Sequence, residues 1–303
     1  MEYCSPKELD NYKSRKSCYN RDILEKIAEA YNRSFPDNKI ETIEKLSFSK
    51  LWKTLQKRMK TVCDDNEVCW VSQVGLDYDK SINKFIRPKM PNEWIKNPNE
   101  WLSNFNIEAV LIQYQQSIPE YKWIGVFPVD FNITSSKGEC LYSDVCSVDI
   151  QELYHQGYKY CGLIINLDKH DQPGSHWTSL FICIDPSLKC FGAHYFDSVG
   201  NNPPVEMKAL MENLKKQGEE LKKKSKSKNS FELNVNKIQY QYGNSECGIF
   251  SIYYQLKWLN LLKNLNNRDR NKLTFDDVIK NKITDKQIES LRKILFRPIF
   301  KVS

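Results

Sequence analysis

Apolar positions in the first part of the chain keep a helical period. In "RDILEKIAEAYNRSF", Ile23, Leu24, Ile27, Ala28 and Tyr31 recur at helical spacing. In "FSKLWKTLQKRMKTV", Leu51, Leu55, Met59 and Val62 line one face of a helix. The pattern then breaks. The stretch "CDDNEVCWVSQVGLDYDKSINKFIRPKMPNEW" is polar and irregular and closes on two prolines, so it reads as a connection between two parts.

From about Pro91 the character changes. "NFNIEAVLIQYQQSI" reads as a helix, and strand candidates follow: "YCGLIINLD", "HWTSLFICID", "KCFGAHYFD" and "FELNVNKIQYQ". Continuous apolar character in "LIINL" and "LFICI" predicts strands covered on both faces. Cys247 to Leu262 is apolar nearly all round, the mark of a helix buried in a core. In "TDKQIESLRKILF", Thr284 and Gln287 have capping-box spacing, with Ile288, Leu291 and Leu295 as the buried stripe. The expected fold is α+β: a small mixed sheet with one central helix that carries a cysteine. A helical N-terminal arm is expected over residues 1–90 and a core domain over residues 91–303.

Composition adds limits. The chain has 303 residues, 40% hydrophobic and 27% charged, as in ordinary globular proteins. No apolar segment opens it, and its apolar runs fall far short of the ~20 residues a membrane span needs. Its ten cysteines contain no Cys-x-x-Cys pair; Cys63 and Cys69, like Cys140 and Cys146, are six apart, a poor zinc spacing. They read as mostly reduced thiols in a reducing compartment, and no metal or organic cofactor is expected. The formal charge of +7 is uneven: between Lys208 and Ser230 there are eight lysines against three acids. That segment reads as a solvated, mobile loop; the sharper reading makes residues 215–228 a weak contact for an acidic partner or nucleic acid. No aromatic residue interleaves those lysines, so base stacking is not suggested.

Cys247 stands where the polar segment "QYGNSECG" turns into the apolar helix. Unpaired N–H groups and the dipole at a helix start favour an anion, which suits a nucleophilic thiolate. Gly248 would let a substrate carbonyl approach, whereas Glu246 works against a thiolate unless turned outward or paired. The plain alternative is a buried cysteine with no chemistry, the usual state of that residue type. His176 sits at the entry of a strand after "DQPGS", where an imidazole can reach a cleft; His155 and His170 lie in polar loops. Asp197 ends the strand in "HYFDSVGNN" and could orient that imidazole, or simply cap the turn at Gly200. His194, three residues before it, falls on the opposite strand face. Gln241, six residues before Cys247, could donate to an oxyanion alongside the Cys247 backbone N–H. Trp177 is either core or the wall of a groove.

The order His, Asp, Gln, Cys, with "HW", "YFDSVGNNPP", "QYGNSECG", "NFNI" and "ITDKQ", resembles the adenain and Ulp1-like cysteine proteases. Within that clan it is most similar to the polyprotein-processing proteases of the African swine fever virus type and their giant-virus relatives. The resemblance runs from about Trp101 to the end and touches the first hundred residues mainly through "CDDNEVC". It implies His176 as base, Asp197 as orienting group, Gln241 as oxyanion-hole donor and Cys247 as nucleophile. It also implies that Trp177 covers a channel admitting only small residues, hence cleavage next to Gly-Gly. Some relatives carry Asn at the position of Asp197, which keeps the hydrogen bond but supports an imidazolium less strongly. The expected activity is a cysteine endopeptidase acting on a viral structural precursor, in the virion or the host cytoplasm (the viral factory). Two alternatives stay open: a deconjugase for SUMO or ubiquitin, and an inactive scaffold that binds within the virion.

Overall fold

The computed structural model describes residues 3–301. The chain parts into two compact units, Met1–Pro98 with Lys293–Ser303, and Asn99–Arg292. The division thus falls a few residues beyond the expected boundary at residue 90. The C-terminal segment, which the sequence reading left in the core domain, groups with the helical unit.

That helical unit holds α1 (Glu8–Arg15), α2 (Arg21–Ser34), α3 (Phe48–Cys63), α4 (Glu67–Gln73) and α5 (Lys80–Asn83). The predicted stripe of α2 turns inward, with Leu24 and Ile27 fully buried; that of α3 does so at Leu51, Leu55 and Met59, but Val62 is exposed and Cys63 beside it is buried instead. Asn20 caps α2 through the Ile23 N–H, and Ser47 caps α3 through the Lys50 N–H. The polar stretch after Cys63 is not a connection. It contains α4, every residue of which is buried. The polar residues that hid this helix are internal partners: the Glu67 carboxylate accepts from the Ser17 hydroxyl (2.6 Å), the Trp52 indole N–H (2.8 Å) and the Cys18 backbone N–H. A buried carboxylate so satisfied costs little, although its sequence reads as surface.

The expectation of reduced thiols fails as well. Cys4–Cys18, Cys63–Cys69 and Cys140–Cys146 are disulfides, and Cys161, Cys183, Cys190 and Cys247 are free. The six-residue spacing that is poor for zinc suits a chain reversal: α3 ends at Cys63, the chain turns, and Cys69 in α4 returns to a Cα separation of 5.5 Å.

The second unit carries α6 (Asn104–Ser117), α7 (Ser143–Cys146), α8 (Ile150–His155), α9 (Val205–Ser225), α10 (Cys247–Asn264), α11 (Asn267–Arg270), α12 (Phe275–Ile279) and, as far as Arg292, α13 (Asp285–Leu295). Its sheet has five strands in sequential order: β1 (Tyr121–Pro128), β2 (Tyr160–Asn166), β3 (Trp177–Cys183), β4 (Gly192–Phe196) and β5 (Glu232–Val235). β2–β3 and β3–β4 pair antiparallel, whereas β1–β2 and β4–β5 pair parallel. The α+β class with a mixed sheet is therefore as expected. β1 is the strand that the sequence reading missed. It alternates buried and half-buried positions, and Gly125 and a register shift between Trp123 and Gly125 break its apolar run.

The sheet is covered on both faces. One face packs Leu163, Ile165, Leu180, Ile182 and Tyr195 with Met207, Leu210 and Leu214 of α9. Across the other runs α10, the central helix, buried along most of its length, with the Trp258 ring stacked 4.9 Å from Phe181 and Tyr254 stacked 4.5 Å from Phe196. Gln255 of α10 donates to the Ser179 hydroxyl (2.8 Å) and the Leu180 carbonyl (2.9 Å), and accepts from the Tyr121 hydroxyl (3.0 Å). Those bonds fix where α10 crosses β3.

The lysine-rich segment is mostly not a loop. α9 continues through Ser225, its apolar stripe on the sheet and Lys222, Lys223 and Lys224 in its last turn. Cations there meet the carbonyl end of the helix dipole, which favours helix over coil. Among the described residues no helix is long and apolar enough to cross a membrane.

Candidate active site

The antiparallel register Ser179↔Phe196 sets the start of β3 beside the end of β4. The residue before β3 is His176 and the residue after β4 is Asp197, so strand pairing alone brings them to one sheet edge. There His176 Nε2 lies 2.7 Å from Asp197 Oδ1. The Asp197 carboxylate is fully buried, and the same oxygen accepts the Val199 N–H at 2.9 Å. The imidazole also lies near enough to the Cys247 thiol for the sulfur to act on its charge. Burial lowers the affinity of this ring for a proton, but the bond to Asp197 and the neighbouring Cys247 outweigh that and raise its pKa to about 9.

Cys247 is the first residue of α10 and is buried. Helix geometry leaves the first N–H groups of α10 without intrahelical acceptors, so the thiol sits among donors suited to an anion. Gln241 is also brought into this region and is 3% exposed. Its Oε1 accepts from the Ser198 hydroxyl at 2.7 Å, and its Nε2 donates to the Gly243 carbonyl at 2.9 Å. Sequence order had set the four residues 71 positions apart, from His176 to Cys247 (247 − 176); the fold gathers them at one sheet edge and one helix start.

A free thiol beside an imidazole that is bonded to a buried carboxylate is the arrangement of a thiol hydrolase. Residues 158–302 match the family model described as "Ulp1 protease family, C-terminal catalytic domain". Those residues form a Ulp1-family protease domain, and the chain is a cysteine protease. The thiol protease of Acanthamoeba polyphaga mimivirus is 27% identical over 321 residues, covering 98% of this chain and 94% of the relative. The cysteine protease of African swine fever virus is 26% identical over 299 residues, covering 91% and 98%, and in one isolate is named a SUMO-1 cysteine protease. The crystal structure of the African swine fever virus protease shares the fold, with a TM-score of 0.62 at 21% identity over 98% of this chain and 96% of that one.

In this cysteine protease Gly248 is needed for a reason other than substrate approach. A Cβ there would lie 2.9 Å from Leu102 Cδ1 and 3.2 Å from Trp177 Cδ1. The space beside Cys247 is already filled by those two side chains. Trp177 is buried and pinned by its indole N–H to the Leu102 carbonyl at 2.9 Å. It also lines a groove of about 530 Å³ with Leu102, Phe127, Asn166 and Gly174.

Glu246, the N-cap position of α10, is buried rather than turned outward. Its carboxylate accepts from the Ser245 N–H (3.1 Å) and hydroxyl. The Arg292 guanidinium, buried and bonded to the Glu100 carbonyl at 2.6 Å, feels both Glu246 and Cys247. A carboxylate beside the thiol is thus tied back by hydrogen bonds and matched by a cation.

The other histidines lie elsewhere. The His194 ring stacks on Trp258 at 4.8 Å and on Phe275 at 5.7 Å, and burial lowers its pKa to about 4. Exposed His170 pairs with Asp130 at 2.7 Å. Sequence reasoning did not single out Leu102, Ser198 or Asp285. Asp285 Oδ2 accepts from the Tyr242 N–H and the Gly243 N–H, each at 3.1 Å, and so braces the loop between Gln241 and Cys247. "ITDKQ" held the only hint; nothing in "WLSNF" marks Leu102 as a neighbour of the nucleophile.

Proposed function

We propose that this protease cleaves peptide bonds through Cys247, with His176 as acid and base, Asp197 as its orienting partner and Gln241 as oxyanion donor. The hydrogen bond between Asp197 and His176, with the Cys247 thiol near enough to act on the same ring, carries the proposal. The Cys247 thiolate attacks the scissile carbonyl carbon, and the carbonyl electrons move to oxygen, where Gln241 Nε2 and backbone N–H groups at the start of α10 receive the charge. Collapse of that adduct breaks the C–N bond, and the His176 imidazolium gives its proton to the leaving amine. Neutral His176 then takes a proton from water as it attacks the thioester, which releases the new carboxyl group and returns the thiol.

The preferred substrate is a viral structural precursor cut next to Gly-Gly. Viral relatives over nearly the whole chain support the precursor, and the close packing of Trp177 and Leu102 beside the nucleophile supports small residues there. The virion suits the three disulfides better than the host cytoplasm, where thiol pools keep cysteines reduced. The basic end of α9 is a secondary feature of this proposal, a weak electrostatic contact for an acidic partner or nucleic acid.

Removal of a SUMO-like modifier is the second reading, favoured by the name borne by one African swine fever virus relative. Purified protein incubated with Gly-Gly-containing precursors and with SUMO and ubiquitin conjugates separates the two. Sequencing the new N-termini should place the cuts in the precursor. Release of modifier with the precursor left intact would replace the first reading by the second. Retention of all activity by Cys247→Ala would refute both.

A further inference from the structure

Asp197 and Ser198 are consecutive, and each side chain holds a different member of the proposed machinery. Asp197 bonds to His176 at 2.7 Å, and the Ser198 hydroxyl donates to Gln241 Oε1 at 2.7 Å. The Ser198 carbonyl also accepts the Tyr240 N–H (2.7 Å) and the Gln241 N–H (2.9 Å), so the backbone of Gln241 is fastened to the same residue. Ser198 and Gln241 are both buried, 1% and 3% exposed. A carboxamide has one accepting and one donating end, and here its environment decides which faces where. The Gly243 carbonyl can only accept, so the group 2.9 Å from it is Nε2, and Oε1 faces the Ser198 hydroxyl. One N–H of Nε2 is used by Gly243; the other is the hydrogen that an oxyanion would take.

We propose that Ser198 is a positioning residue for the oxyanion hole, its hydroxyl holding the Gln241 carboxamide in the orientation that presents Nε2 to the reaction. The inference rests on the assignment of Gln241 as oxyanion donor. Asp197 and Ser198 thus couple the two halves of the site: one dipeptide at the end of β4 sets the imidazole and the amide together. Without the hydroxyl, Oε1 loses its buried donor and only the Gly243 carbonyl still holds the carboxamide, so its orientation is less firmly fixed.

The test measures kcat and KM for a peptide substrate in Ser198→Ala, Gln241→Ala and the double variant, together with the rate of Cys247 alkylation by iodoacetamide. Alkylation displaces iodide at a saturated carbon and forms no oxyanion, so it reports the Cys247–His176 pair alone. Removing one oxyanion donor typically lowers kcat about 100- to 1,000-fold, which is the expectation for Gln241→Ala. For Ser198→Ala we expect kcat about tenfold lower, by loss of one buried hydrogen bond, with KM and alkylation within about twofold of the parent. In the Gln241→Ala background the same change should lower kcat by no more than about twofold, because a residue acting through Gln241 has nothing left to position. Ser198→Thr, which keeps the hydroxyl, should recover most of the loss. Losses that multiply in the double variant, or alkylation that falls in step with kcat, would overturn the role of Ser198 while leaving Gln241 in place. An unaffected kcat in Gln241→Ala would overturn the oxyanion assignment and this inference with it.

Discussion

His176 Nε2 and Asp197 Oδ1 stand 2.7 Å apart although 21 residues separate them, because β3 leaves His176 at its start and β4 leaves Asp197 at its end. The carboxylate is buried and the imidazole mostly so, and a charged pair screened from water interacts more strongly than one on the surface. Together with Cys247 this raises the His176 pKa to about 9, so the imidazolium persists through neutral pH.

The pH–rate profile should show it. Because the folded value lies above the ordinary ~6.5 of histidine, the stability contributed by protonated His176 is fully present below about pH 6.5. It is lost as pH rises through about 9. Turnover should fall along an alkaline limb near pH 9, as the proton donor to the leaving amine disappears. Asp197→Asn removes a charge that raises this pKa, so the limb should move to lower pH, by about one unit or more. Rate–pH curves for both proteins check the sign; a limb that stays fixed would show that another group sets it.

Gly248→Ala places a methyl group 2.9 Å from Leu102 Cδ1 and 3.0 Å from Leu102 Cβ. Overpacking of this kind costs about 1–3 kcal/mol, and the strain falls on the residues beside the nucleophile. Thermal unfolding should detect the loss, and Leu102→Ala in the same chain should restore part of it. A neutral Gly248→Ala would mean that Leu102 yields freely.

The disulfides predict a thiol count. Titration of the unfolded chain without reductant should find four thiols, Cys161, Cys183, Cys190 and Cys247, and after reduction all ten. Opening the Cys4–Cys18 link, which spans a sequence separation of 14, releases a loop whose closure is worth about 3 kcal/mol. A Cys4→Ser variant should therefore melt at lower temperature than its parent under non-reducing conditions. Equal melting would argue against that bond.

Lys223 and Lys224 lie at the carbonyl end of α9. Reversing their charge, Lys223→Glu with Lys224→Glu, opposes the helix dipole and should lower the melting temperature slightly. Turnover of a short peptide should not change, whereas any salt-sensitive binding of a polyanion should weaken. Melting curves and binding measured at two salt concentrations check both.

Several features were legible along the chain because each depends on local periodicity or on a few neighbouring residues. α2, α3 and α10 follow their apolar stripes, and the Thr284 cap forms as its spacing indicated, the Gln287 N–H meeting its hydroxyl at 3.4 Å. Four of the five strands follow their β-rich runs. β1 escaped notice because Gly125 and the irregularity beside it interrupt the alternation that marks a half-buried strand. α4 escaped because its polar residues are satisfied inside, and periodicity cannot tell a solvated carboxylate from one that accepts three internal hydrogen bonds.

For the site, the types and order of His176, Asp197, Gln241 and Cys247 were enough to suggest a thiol protease, since acidity and nucleophilicity are properties of side chains. Their partners were not, because a hydrogen bond or a close contact depends on which distant segments the packing brings together. Only the fold shows Ser198 against Gln241, Leu102 against Gly248 and Arg292 near Glu246. The pairing of six cysteines was likewise decided in three dimensions, where Cα separations of 5.2–6.5 Å bring the sulfurs within bonding reach.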